Sequence, residues 1–345
     1  MNSLKIRLSI MMFLEYMIWG LWMIKLGPYL EHLEFTGTQM GAIFGVFFLA
    51  SLLSPFLAGQ LADRLMPTQI FLAIVHLIGG ILLLYLGTIR DFQLMWWIMF
   101  IYSLLYAPTL ALTNSISFHH LKDKEKDFGV IRSFGTIGWI AAGVLLTVWW
   151  KFIQPFEMKW EDIFGLDAVE KASQIAAYLT IESKLFTLSG IVSILMGLYC
   201  FVLPHTPPTK DAANPFAFLE ALKLFKNPQF AFFMILSFVV STELMFYYLP
   251  TPGFLSTLMP AEWVPVATTI GQAGELLTLL VILPFALPRL GVRKTIAIGI
   301  LAWPIRYAIF SSGQPTGLII AALPLHGICY VFFFIVGQVY VDKLA

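Results

Sequence analysis

Few residues in this chain could do chemistry, and their spacing sorts them into small groups. Glu15, in FLEYMIWGLW, is followed by Trp19 and Trp22 at i+4 and i+7, on one face of a helix. A carboxyl flanked by indoles and kept from water can carry a proton, or can stay protonated in a hydrogen bond between helices. Gln272 and Glu275 stand at i and i+3 and share a face. An amide beside a carboxyl can hydrogen-bond a polyhydroxylated solute while the carboxyl takes a proton; the alternative is a purely structural pair. Arg132, Thr136 and Trp139 fall at i, i+4 and i+7 in IRSFGTIGWI and form one stripe, with Arg132 near the end of its segment, where snorkelling competes with a binding role. Arg306, two residues after Pro304 in LAWPIRYAIF, lies deeper and calls for a buried acid as its partner. His326, Tyr330 and the aromatics at 332–334 line one further apolar segment, as packing or as site.

One more group is a polar island, GQLADRLMPTQ at 59–69, between two apolar runs. Asp63 could cap a helix or pair with an arginine, Arg64 adds a basic partner, and Gly59 permits close approach, so the turn could latch a gate. A solvated turn is the alternative. No HExxH, GxSxG or Walker loop occurs and no two histidines stand at i and i+4, which argues against an enzyme, an ATP-driven pump and a metal site.

These residues need elements to hold them, and the composition says which. Of 345 residues, 59% are hydrophobic and 12% charged, against about 25% charged in a soluble domain. Lipid is the solvent this composition suits. The net charge of +1 speaks against nucleic acid. Cys200 and Cys329 lie in apolar runs and imply no disulfide scaffold. The N-terminus looks like a signal peptide, but its apolar run is too long and no cleavage site follows.

Ten segments of roughly 20 apolar residues are marked, near 7–30, 38–60, 69–89, 93–117, 129–151, 183–203, 229–257, 264–287, 293–312 and 317–340. With the N-terminus in the cytoplasm, the inner loops hold thirteen Lys and Arg and the outer loops five. That asymmetry sets the orientation. Six spans (1–204), a polar cytoplasmic linker (205–228) and four more spans (229–345) make the layout of a two-bundle transporter built from repeats.

GQLADR then sits in the turn between spans two and three and resembles the signature loop of the major facilitator superfamily. The corresponding turn of the second half, PRLGVRK at 288–294, keeps Gly and basic residues but lacks the Asp. That superfamily implies an all-α fold of twelve transmembrane helices, of which ten are present here, so the chain is expected to be a fragment or the product of a truncated gene.

Within the superfamily, FLEYMIWGLWMIKLGPYL (13–30), YAPTLALTNSISF (106–118), IRSFGTIGWI (131–140), LPHTPP (203–208), GQAGELL (271–277), WPIRYAIF (303–310) and HGICYVFFFIVGQVYVDK (326–343) are similar to the bacterial nucleoside:proton symporters. The resemblance covers essentially the whole chain. It implies a secondary transporter of the bacterial cytoplasmic membrane, importing a nucleoside with a proton. No cofactor beyond the proton gradient is implied, and the protein is expected to act as a monomer.

By the same resemblance, Arg132, Thr136 and Trp139 match the fifth-span motif, Gln272 and Glu275 the eighth-span polar pair, and Tyr330 the tenth-span aromatic. Trp19 is counted with the substrate site, and Gly59, Asp63 and Arg64 with the gate. Met245 and Tyr248 stand where the best-understood members carry amides, and Val331 where they carry an acid. Proton coupling would then rest on Glu275 and Glu15, and a sugar or other polar metabolite is the alternative substrate. A transport-dead fragment is the alternative outside transport.

Overall fold

A computed structural model of the chain describes residues 3–57, 66–122, 124–153, 183–208, 222–342 and 344. The turn holding Gly59, Asp63 and Arg64 lies outside the described residues, as do 154–182 of the long outer loop and 209–221 of the linker. The described chain is helical almost throughout, as a spanning chain must be when lipid cannot satisfy its backbone N–H and C=O groups. It divides into two compact units, Met1–Pro215 and Phe216–Ala345.

The first unit holds α1 (Ser3–His32), α2 (Gly37–Leu57), α3 (Thr68–Leu86), α4 (Phe92–His120), α5 (Lys124–Val148, continued by a π-turn at Trp149–Ile153) and α6 (Lys184–Cys200). Their starts carry local signals. Thr36 and Gln39 form a reciprocal capping box at α2, Gln39 Oε1 accepting from the Thr36 N–H at 2.9 Å and Thr36 Oγ1 from the Gln39 N–H at 3.3 Å. Asp91 caps α4 by accepting from the Leu94 N–H at 2.8 Å.

Helix α3 starts at Pro67 without a side-chain cap and borrows partners from the far end of the unit. The Thr68 N–H donates to the Thr206 carbonyl at 3.0 Å, and Gln69 Oε1 accepts from the Thr206 N–H at 2.9 Å. The chain leaving α6 is thereby tied to the start of α3.

Helix α1 packs against α5 and α6, α2 against α4, and α3 against α6 and α4. Lipid gives helices no hydrophobic reason to associate, so close packing at small residues takes over. A Cβ at Gly138 of α5 would collide with the Phe13 carbonyl of α1. Lys25 does not snorkel freely: it is buried, and its Nζ lies 5.8 Å from the centre of the Trp150 ring.

The second unit holds α7 (Pro228–Tyr248), α8 (Thr251–Ser256), α9 (Val264–Leu277, continued by a π-turn at Thr278–Ile282), α10 (Leu283–Ser311), α11 (Thr316–Ala322), α12 (Leu325–Tyr330, continued by a π-turn at Val331–Ile335) and α13 (Val336–Asp342). Asn227 starts α7 by accepting from the Gln229 N–H at 2.9 Å.

Seven described segments are long and apolar enough to cross a membrane, and Lys184–Cys200 and Pro228–Leu244 are shorter apolar helices. One of the seven, Ala261–Ser311, is 51 residues long and holds two of the expected spans. They meet at Gly291, whose φ of 72° and ψ of 165° break the helix. Counted that way, each of the ten segments marked in the sequence is mainly helical over its described residues.

Two differ from the sequence reading, because a proline interrupts each. The seventh breaks at Leu249–Pro250 and the tenth at Leu323–Pro324. Pairing repeats between the units: as α2 and α3 both pack on α4 in the first, α9 and α10 both pack on α12 in the second.

Candidate functional site

In the first unit, Glu15 is buried at 0% exposure midway along α1. Its carboxylate does not lean on the indoles for polar contact. Oε1 accepts from the Thr109 hydroxyl of α4 at 2.6 Å, and Oε2 lies 3.0 Å from His76 Nε2 of α3, whose exposure is 1%. The Glu15 carbonyl accepts from the Tyr106 hydroxyl at 2.6 Å. Trp22, one of the two indoles, turns instead to Tyr102, donating to its hydroxyl at 3.3 Å.

A second cluster lies toward α5. Trp19 meets Trp139 edge-on at 5.4 Å and Phe47 at 4.9 Å between centroids, and the Arg132 guanidinium sits 4.0 Å above the Tyr16 ring. Thr136 and Trp139 are buried and Arg132 is half-buried. Tight packing at Gly135 presses α5 onto Tyr16, so the stripe predicted from spacing is joined to the α1 aromatics. Arg132 lays its planar cation on a ring.

In the second unit the site forms where helices are interrupted. Tyr247 and Tyr248 lie just before the break at Pro250, His326 just after the break at Pro324, and the π-turns begin just past Glu275 and Tyr330. A π-turn shifts helical register, which re-aims the side chains beside it. Gln272 and Glu275 are buried on α9, and the Gln272 amide donates to the Tyr248 hydroxyl at 3.3 Å, within electrostatic range of Glu275. Tyr247 stacks on His326 at 4.7 Å with an 18° tilt, and His326 in turn on Tyr330 at 5.9 Å.

Arg306 is wholly buried, yet among the described residues no acid stands in ion-pair range. The expected acid partner is replaced by rings and an imidazole. Its Cζ lies 4.2 Å from the Tyr247 ring centre, 4.7 Å from Trp303 and 5.2 Å from Tyr307, and Nη1 lies 3.2 Å from His326 Nδ1. Arginine can only donate, so His326 accepts at Nδ1 and carries its hydrogen on Nε2. The described structure leaves Arg306 Nε and Nη2, His326 Nε2 and the Gln272 carbonyl oxygen without hydrogen-bond partners. Buried polar atoms left open in one cluster are donors and an acceptor available to a solute.

The spacing in the sequence therefore assembles two groups, Arg132–Thr136–Trp139 with Trp19, and Gln272–Glu275 with the neighbourhood of Tyr248. It did not point to His76, although a lone histidine inside IFLAIVHLIGG is costly in lipid and was the available signal. Neither did it pair Arg306 with His326. Glu243 offers its backbone carbonyl to the Tyr307 hydroxyl at 2.7 Å. Gly59, Asp63 and Arg64 lie outside the described residues. No group of three or more His, Cys, Asp or Glu able to hold a metal occurs among the described residues.

Comparison with known proteins places the chain in a family. A family model described as nucleoside H+ symporter matches residues 1–161 and 163–345. The putative nucleoside transporter YegT of Escherichia coli (strain K12) is 32% identical over 350 residues, which span 98% of this chain and 76% of that protein. The crystal structure of nucleoside transporter NupG aligns with a TM-score of 0.80 at 29% identity, covering 99% of this chain and 83% of that one. A bacterial homolog of the human lysosomal transporter Spinster aligns at a TM-score of 0.67 and 16% identity over 99% of this chain and 78% of its own, a likeness of fold alone. The fold is that of the major facilitator superfamily.

Proposed function

This chain belongs to the nucleoside H+ symporter family, and from that premise we propose that it imports a nucleoside together with a proton across the bacterial cytoplasmic membrane. The N-terminus lies in the cytoplasm, the proton gradient is the only driving force, no cofactor or catalysis is involved, and the transporter works as a monomer. The observation that carries the reading is the cluster of the second unit, where Gln272, His326 and Arg306 bring open donors and an acceptor together in an apolar surrounding, with Tyr248 bonded to the Gln272 amide.

In this reading Gln272, the tyrosine hydroxyls and the Tyr330 ring are the solute-binding groups of the second unit, and Arg132, Thr136, Trp139 and Trp19 those of the first. Glu275 takes the proton, and the open donors of Arg306 serve the solute's acceptors. Glu15 is the second proton carrier. Gly59, Asp63 and Arg64 hold the inner gate.

The test is uptake of uridine and adenosine into proteoliposomes under an inward proton gradient, with the full-length protein. Glu275→Gln should lose accumulation and keep counterflow exchange, because an amide still hydrogen-bonds but cannot change charge. Accumulation by Glu275→Gln at the parental level would remove Glu275 from the proton path. Gradient-driven uptake of a sugar, with nucleosides ignored, would replace the substrate.

A further inference from the structure

We propose that Glu15, His76 and Thr109 form a proton-binding site inside the first unit, in which Thr109 serves both protonation states of Glu15. This rests on reading the chain as proton-coupled and Glu15 as one of its carriers; the new element is the site itself and the work of His76 and Thr109.

The Thr109 hydroxyl has one hydrogen and two acceptors in reach, Glu15 Oε1 at 2.6 Å and the Tyr106 carbonyl at 2.5 Å. With Glu15 charged, the hydroxyl donates to Oε1. With Glu15 protonated on Oε1, the carboxyl donates to Thr109 Oγ1, and the hydroxyl turns its hydrogen to the Tyr106 carbonyl. A rotation about one bond thus leaves every polar atom on this side paired before and after proton uptake. Reaching back to a carbonyl of the preceding turn is common for helical Ser and Thr here, as at Thr113, Ser117 and Thr278; Thr109 differs in having the Glu15 carboxylate in reach as well.

His76 faces the other oxygen. Its Nε2 lies 3.0 Å from Oε2, off the line of a good hydrogen bond, and neither atom has another described partner. The histidine's position is set by α6, whose Ser193 hydroxyl donates to the His76 carbonyl at 2.8 Å, and its ring stands edge-on to Tyr106 at 6.1 Å. Two titrating groups this close share protons as a unit. One proton between them makes the site neutral; none leaves a buried negative charge; two leave a positive one. In a setting this dry the neutral state is the resting one, and release requires water to reach the pocket.

The surrounding groups support that balance. From α4 come Tyr102 and Tyr106, from α6 Cys200, and on α1 itself Tyr16, with Arg132 of α5 over its ring. The described side chains of α2 bring no ionisable group. His76 is the only described group in ion-pair range of Glu15, so no fixed cation holds the carboxylate permanently charged.

Infrared difference spectroscopy of the full-length protein in liposomes, titrated from about pH 5 to about pH 9, tests the site without any transport measurement. A carboxylic-acid C=O band should grow as the pH falls and be lost in Glu15→Gln. In Thr109→Val it should move to higher frequency, as happens when the acid loses its acceptor, and Thr109→Ser should restore it. His76→Gln should separate the coupled titration into a single carboxyl step. A spectrum of Glu15→Gln equal to the parent, or a band that never titrates, makes the group a fixed link between helices and overturns the proposal whatever transport shows. A titrating band in a protein that moves no nucleoside with protons would leave the site standing and overturn the proposed function instead.

Discussion

Arg306 is a guanidinium with no acid beside it, and rings carry its charge. Three aromatic faces within 5.2 Å of Cζ and one imidazole nitrogen at 3.2 Å are its described company. Cation–π contacts in a desolvated place are worth about 2 kcal/mol, and the flat fork of arginine suits them better than an ammonium does. Arg306→Lys should therefore lower stability by roughly 1–2 kcal/mol, read as an earlier thermal unfolding in detergent. Arg306→Met removes a buried charge that lacks an ion-pair partner, so it should hold or raise the unfolding temperature while abolishing nucleoside accumulation. A variant that melts early and still accumulates nucleoside would reduce Arg306 to a packing residue.

Breaks and close approaches in the helices do the positioning. Pro250 and Pro324 interrupt the seventh and tenth spans beside Tyr247 and His326, where neighbouring side chains can meet the freed backbone groups. Helices α9 and α12 cross at Gly274 and Gly327, where a Cβ on either would strike backbone atoms of the other helix. Gly327→Ala should cost at least about 1–3 kcal/mol by overpacking and displace His326 from Tyr247, weakening nucleoside binding as well as stability. Gly291 is a different case. Its φ of 72° and ψ of 165° belong almost to glycine alone, yet nothing within 4 Å would touch a Cβ. Gly291→Ala should thus destabilise by about 1–3 kcal/mol through the backbone alone, leaving substrate affinity unchanged. Equal loss of affinity in both variants would show that the turn and the site are not separable.

At the scale of the molecule, repetition sets the plan and loop charge argues for an orientation. With the N-terminus in the cytoplasm, as proposed, thirteen inner against five outer Lys and Arg would put the turn after α3 outside and the turn after α4 inside. Thr88 and Lys122 are exposed in those turns, while Cys200 and Cys329 are buried. Thr88→Cys should react with an impermeant maleimide in intact cells, and Lys122→Cys only after permeabilisation. The reverse pattern would invert the topology. Recurrence of one pairing pattern, the second and third spans of each unit on the fourth, agrees with a repeat-built transporter, and membership of the nucleoside H+ symporter family states which kind.

Ten spans and the family were legible in the residues, because each span must carry its own apolar stretch and each motif its own residues. Those are local demands, met residue by residue whatever the helices later touch. Stripes such as Arg132–Thr136–Trp139 and Gln272–Glu275 were legible for the same reason, since one helix fixes which of its side chains share a face. Glu15 was visible as a charge in lipid, but its company was not: Thr109 is 94 residues away in sequence. His76 meets Glu15 because α1 and α3 both pack on α6. Arg306 invited an acid from its chemistry alone, and packing gave it His326 and three rings instead. Spacing tells which side chains lie together on one helix, whereas partners on different helices are chosen by how the helices cross, and that is decided by glycines, proline breaks and π-turns acting together in three dimensions.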